Sequence, residues 1–93
     1  MDKAEFKTRA NKTIDEVSEK IKELEHEKES AQAEAKSKYE ESLKELKSKR
    51  NELKSKYEEL ENASEEEWKE VKDAFNSAAT SFKEGWKEIA SLA

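Results

Sequence analysis

His26 is the first candidate for chemistry, because histidine is the side chain whose ordinary pKa lies closest to neutrality. In a helix, Glu23, Glu29 and Ser30 would share its face, three or four residues away. This set contains no second histidine and no cysteine, the ligands from which protein zinc sites are usually built. We therefore predict a solvated surface histidine, no catalytic residue, no metal site and no cofactor.

Cationic side chains cluster in the middle of the chain, where they could contact phosphate groups. The cluster consists of Lys44, Lys47, Lys49, Arg50, Lys54 and Lys56. It has no interleaved aromatic residues, Glu45 and Glu52 dilute it, and the whole chain carries a net charge of −5. Because nucleic-acid-binding surfaces combine a strong basic patch with stacking or groove-reading side chains, these features disfavour nucleic acid as a partner.

The C-terminal third carries most of the large aromatic residues, at spacings that place them on one face of a helix. The stripe consists of Trp68, Val71, Phe75, Phe82, Trp86, Ile89 and Leu92. We interpret it first as core packing in a helical bundle, anchored by the two tryptophans. The alternative is a membrane surface, because residues 76–81 are uncharged beside bulky rings. Residues 62–93 carry seven acidic and four basic side chains, however, which anionic lipid would repel.

The composition predicts the elements that must position these residues. Charged residues make up 46% of the chain and apolar residues 32%, with one glycine, no proline and no cysteine. Because sheets need turns rich in glycine, proline, asparagine or aspartate, we predict an all-α fold in a single domain over residues 1–93. No apolar stretch has the length of a signal or membrane segment, and the chain carries no cysteine, so we predict a cytoplasmic location.

Large apolar residues recur in steps of three, four and seven, which is the period of a helix and not of a strand. A disordered chain of similar charge would lack this period. Outside the C-terminal stripe, the predicted helix-packing residues are Phe6, Ile14, Val17, Ile21, Leu24, Leu46, Leu53 and Leu60.

The clearest break in the helical pattern is at residues 62–64. Ser64 can cap a following helix, and Glu67 is placed to complete a capping box. We predict a long coiled-coil-like helix over about residues 3–61 and a shorter antiparallel helix over about 65–92, as a hairpin or bundle. The alternative is a three-helix bundle with an extra turn near residues 29–31. The heptad-like spacing, however, continues through that region without interruption.

The assembly prediction depends on the lengths of these helices. The shorter helix would cover only about half of the longer one, which leaves the apolar residues from Phe6 to Leu24 exposed in a monomer. Exposed stripes of this kind are usually buried by a partner. We therefore predict a homo-oligomer, with an antiparallel dimer favoured, or a helical protein partner on the same stripe.

Repeated motifs give the chain a resemblance. Lys-Ser-Lys-Tyr-Glu-Glu occurs at residues 36–41 and 54–59, and Ala-Ser-Glu-Glu-Glu-Trp-Lys-Glu-Val-Lys follows at 63–72. With these motifs the chain resembles a family of small bacterial coiled-coil proteins that are often described as stress-response proteins. The resemblance implies a stress-associated, non-catalytic role in bacteria. We predict a non-enzymatic structural or interaction protein that assembles by helix packing; the alternative is a peripheral membrane-binding protein that uses the helix over 65–92.

Overall fold

The computed structural model describes residues 2–90, and these residues form an all-helical structure, as the composition predicts. Helix α1 spans Lys3–Glu29, α2 spans Ala33–Asn62 and α3 spans Trp68–Ala90. The helices run up, down and up in a bundle of 50 × 18 × 16 Å. Helix α2 packs closely against both other helices, whereas the parallel helices α1 and α3 approach each other less closely.

The predicted single helix over residues 3–61 is wrong, because the chain turns at residues 30–32. The Ser30 N–H still donates a hydrogen bond to the Glu27 carbonyl oxygen, and the Ala31 N–H donates one to the Lys28 carbonyl oxygen, each of 3.1 Å. Gln32 is then extended, with φ −72° and ψ 161°, and α2 begins at the next residue. Residues 2–90 therefore form the three helices of the alternative prediction.

Packing explains this turn better than local sequence does. Residues 30–32 contain neither glycine nor proline, and no described non-glycine residue has a positive φ. Between Leu24 and Tyr39, however, no large side chain is buried, so a straight helix through this segment would bury little apolar surface. Folding back covers the apolar stripe of α1 instead. Each large apolar side chain buried in this way contributes about 1.5–3 kcal/mol.

The turn predicted at residues 62–64 is present. Ser64 Oγ accepts a hydrogen bond of 3.2 Å from the Glu67 N–H, which is the bond expected of a capping residue. Helix α3 begins at Trp68, later than the predicted start at 65, because residues 65–67 form turns. Leu92 and the predicted end of this helix lie outside the described residues.

Two contacts show how the helices pack: an ion pair between α1 and α2, and a close approach of α3 to α2. Lys47 of α2 lies 2.9 Å from a carboxylate oxygen of Glu25 in α1, an exposed ion pair that fits the antiparallel register. At Gly85, α3 comes close to α2: a Cβ atom there would lie 3.1 Å from Leu46 Cδ2 and 3.3 Å from Lys49 Nζ. The single glycine of the chain therefore lies at a close approach of the two helices, where a larger residue would contact α2.

Candidate functional site

The residues predicted to mediate helix packing lie on the inner faces of the bundle. Val71 and Trp86 are partly buried against the core, and the other predicted residues within the described range are buried. The buried residues are Phe6, Ile14, Val17, Ile21, Leu24, Leu46, Leu53, Leu60, Trp68, Phe75, Phe82 and Ile89.

The apolar stripe of α1 is therefore covered within a single chain. None of its large residues is more than 8% exposed. The exposed stripe that led to the predicted dimer is absent, so that argument for the dimer is wrong. Whether two chains associate by another surface stays a prediction.

An aromatic layer joins α1 to α3 at one end of the bundle. The ring centroid of Phe6 lies 5.8 Å from that of Phe75, edge to face at 86°, and 6.5 Å from that of Trp68. Lys3 Nζ also donates a hydrogen bond to the Ala63 carbonyl oxygen in the loop before α3. These contacts hold the start of α1 against the start of α3.

The side chains considered for catalysis or for phosphate binding do not converge. His26 is exposed on α1, and residues 2–90 contain no group of three or more His, Cys, Asp or Glu that could hold a metal ion. In the basic cluster, Lys47 pairs with Glu25, and Lys56 Nζ lies 3.0 Å from Glu59 Oε2. Part of the cationic charge of α2 is thus balanced by neighbouring carboxylates.

A groove lies between α1 and α3, the pair of helices that is least closely packed. It consists of two cavities of about 450 and 310 Å³. Thr13 and Asn76 line both cavities, so the two are neighbours along the groove. The groove runs from Arg9 and Lys72 at one end to Trp86 and Lys87 at the other.

The floor of the groove is apolar. Val17 and Phe82 are core residues, 5% and 4% exposed, that also line the larger cavity. Trp86 is only partly buried, and its indole ring forms part of the same wall. Lys20 Nζ lies 4.3 Å from the centroid of this ring, within the range of a cation–π contact. A ligand in the groove would therefore contact the partly exposed Trp86 ring and the edges of the buried side chains Val17 and Phe82.

The rim of the groove is mainly cationic. Among the described residues that line its two cavities, five side chains are basic and one, Glu16, is acidic. The basic residues are Arg9, Lys20, Lys72, Lys83 and Lys87. Lys20 also lies 4.0 Å from Glu23, and the ammonium group of Lys72 lies 5.7 Å from the Trp68 ring centroid. A chain of net charge −5 thus has one groove with a local excess of positive charge.

The uncharged segment of α3 forms one side of this groove. Residues 74–82 carry no charged side chain, and small residues such as Ala79 and Thr80 line the larger cavity. The aromatic rings of the same segment point into the core, since Phe75 and Phe82 are both buried. The segment that suggested lipid insertion is therefore small and polar where it meets solvent.

The groove was missed in the sequence because its two walls come from residues 9–20 and 72–87, far apart in the chain. Their juxtaposition depends on the turn at residues 30–32, which the sequence signals only weakly. The uncharged run beside Trp86 is the one sign of an unusual surface in the sequence, and it indicates a lipid contact as readily as a groove.

No described helix is both long enough and apolar enough to cross a membrane. Comparison of the chain with protein-family models, with curated proteins and with solved structures finds no match. The resemblance to small bacterial stress-type coiled-coil proteins therefore stays a prediction from its motifs.

Proposed function

We propose that the chain is a non-enzymatic interaction protein, a three-helix bundle that binds a protein partner by helix packing in the groove between α1 and α3. The observation that carries the proposal is the groove itself, where part of the Trp86 ring and the core residues Val17 and Phe82 line a solvent-connected cavity. Apolar surface left open beside polar rims is typical of binding grooves.

The chemistry of the groove supports binding in preference to catalysis. Its polar groups are ammonium and guanidinium ions, hydroxyl and amide groups, and one carboxylate. A helical partner could use the apolar floor for affinity and the rim for orientation. The stress association and the bacterial origin implied by the resemblance, and the cytoplasmic location predicted from composition, remain predictions beside this proposal.

The membrane-binding alternative needs a larger rearrangement. The rings of Trp68, Phe75 and Phe82 are buried, so α3 would have to leave the bundle before they could enter lipid. That step would expose the core that α1 and α2 share with α3. Binding in the groove requires no such opening.

A photoreactive benzophenone side chain placed at Thr80 tests the proposal in the native host. Thr80 is exposed and lines the groove, whereas Ser55 is exposed on α2 away from it and serves as the matched control position. We expect illumination to give discrete heteromeric cross-links from position 80 that are absent from position 55. Equal patterns from both positions, or no product from position 80, would contradict the proposal. A product of twice the chain mass would identify a second copy as the partner.

A further inference from the structure

The groove between α1 and α3 has the charge pattern of a site for a polyanionic helix. We infer that it binds an amphipathic helix of another protein, with acidic residues on both flanks of its apolar stripe. This inference rests on the function proposed above and specifies the chemistry of the partner.

The position of the cations along the groove is the first argument. Arg9 and Lys72 lie at one end, and Lys83 and Lys87 lie toward the other. On α3, residues 72 and 87 are about 20 Å apart along the helix axis, at 1.5 Å per residue. An amphiphile with a single acidic head group would engage one end only. A helix with carboxylates at successive turns would engage both ends.

The shape of the groove is the second argument. Its length corresponds to about four helical turns. Asn76, Ala79 and Lys83 recur on α3 at intervals of three and four residues, so they form one ridge of the wall. Two of these side chains are small, which allows a partner helix to approach α3 closely. The apolar floor then receives the partner's own apolar stripe, completing a fourth helix of the bundle.

The absence of a matching surface on the chain itself is the third argument. In the described part of the chain, the apolar faces of all three helices are turned into one core. A second folded copy therefore has no comparable apolar stripe to place in the groove. This favours a helix of a different protein over a second copy of the described bundle.

Synthetic helical peptides provide the direct test with the full chain. The acidic probe, about 20 residues long for adequate helicity, carries leucines at positions i, i+3, i+4 and i+7 with flanking glutamates. A basic probe replaces the glutamates by lysines, and a scrambled acidic probe keeps the composition without the apolar stripe. We expect calorimetric titration to show one-to-one binding of the acidic probe, weakening with salt, and amide NMR shifts confined to the groove, including Thr13 and Thr80.

Charge-reversal variants supply the control for non-specific attraction. We expect K83E/K87E to bind the acidic probe about tenfold more weakly, because two attractions become repulsions. K38E/K54E makes the same change in net charge at exposed lysines of α2 and should keep affinity within about threefold. The basic probe should bind K83E/K87E better than it binds the original chain. Circular dichroism should show that none of these four substitutions changes the helical fold.

Several outcomes would overturn the inference while leaving the proposed function intact. Preferential binding of the basic probe, equal losses in both double variants, or shifts mapped away from the groove would each exclude an acidic helix as the ligand. Failure of the acidic probe combined with binding of phosphatidylglycerol vesicles would instead assign the surface to lipid and would contradict the proposed function as well. Photocross-linking from Thr80 reports on the proposed function independently, since it requires a protein partner but no particular charge.

Discussion

Trp68 and Trp86 lie 18 residues apart on α3, yet identical side chains meet different surroundings. Trp68 is 6% exposed and contacts the ring of Phe6, whereas Trp86 is partly buried and faces the groove. Spacing predicts that both tryptophans point inward but cannot distinguish their environments. The difference depends on what α1 places opposite each ring.

We therefore expect the two truncations to differ in their effect on stability. Trp68→Ala should lower the free energy of unfolding by about 3–5 kcal/mol, the range for a large core side chain replaced by alanine. Trp86→Ala should cost about 1–2 kcal/mol, because part of its ring is already in contact with water. Chemical denaturation monitored by circular dichroism measures both values. Equal losses would mean that the groove is closed over Trp86 in solution.

At the scale of the elements, the two turns differ in how clearly the sequence marks them. The turn at Ser64 is marked in the sequence by a hydroxyl that can cap a helix, by three glutamates that follow it and by a shift in the helical spacing of the apolar residues. In the structure, Ser64 makes the expected capping hydrogen bond. Gln32 carries no such signal. Its side chain makes no capping hydrogen bond, and its extended backbone is accessible to any residue. The all-helical fold was thus predictable from composition, while the number of helices depended on tertiary packing.

The missing cap at residue 32 leads to a test. Gln32→Asp would provide a side-chain oxygen for the free N–H groups at the start of α2, so we expect the free energy of unfolding to rise by about 0.5–1 kcal/mol. Gln32→Ala is the matched control and should leave it within a few tenths of a kcal/mol. The measurement is the urea midpoint with its slope unchanged. A loss of stability in Gln32→Asp would contradict an N-cap at this position.

At the scale of the whole molecule, the covered stripe of α1 changes the expected assembly. Ile21 and Leu24 are each 2% exposed in one chain, so a second copy is not needed to bury them. The groove could not be predicted from the sequence, because its two walls come together only in the folded bundle, where α1 lies beside α3. The charge and the apolar period can be determined from one segment of the sequence, whereas the groove depends on how two segments pack together.

We expect the isolated chain to sediment as a monomer of 10.8 kDa, independent of concentration in the micromolar range. The physical reason is that dimerisation has little exposed apolar surface to bury apart from the groove. Sedimentation equilibrium at several loading concentrations measures this mass. A mass near twice this value would restore the homo-oligomer predicted from the sequence.

The turn at residues 30–32 uses one extended residue and no glycine, so little local structure separates the folded-back chain from a straight one. If Gln32 joined the helix, α1 and α2 would become one rod of about 90 Å, and α1 could no longer reach its own α3. Two such rods could exchange their α1 segments and keep the same core contacts, now made between chains. Such a domain-swapped dimer would compete with the monomeric bundle. The stability of the turn and the protein concentration would set the balance between the two forms.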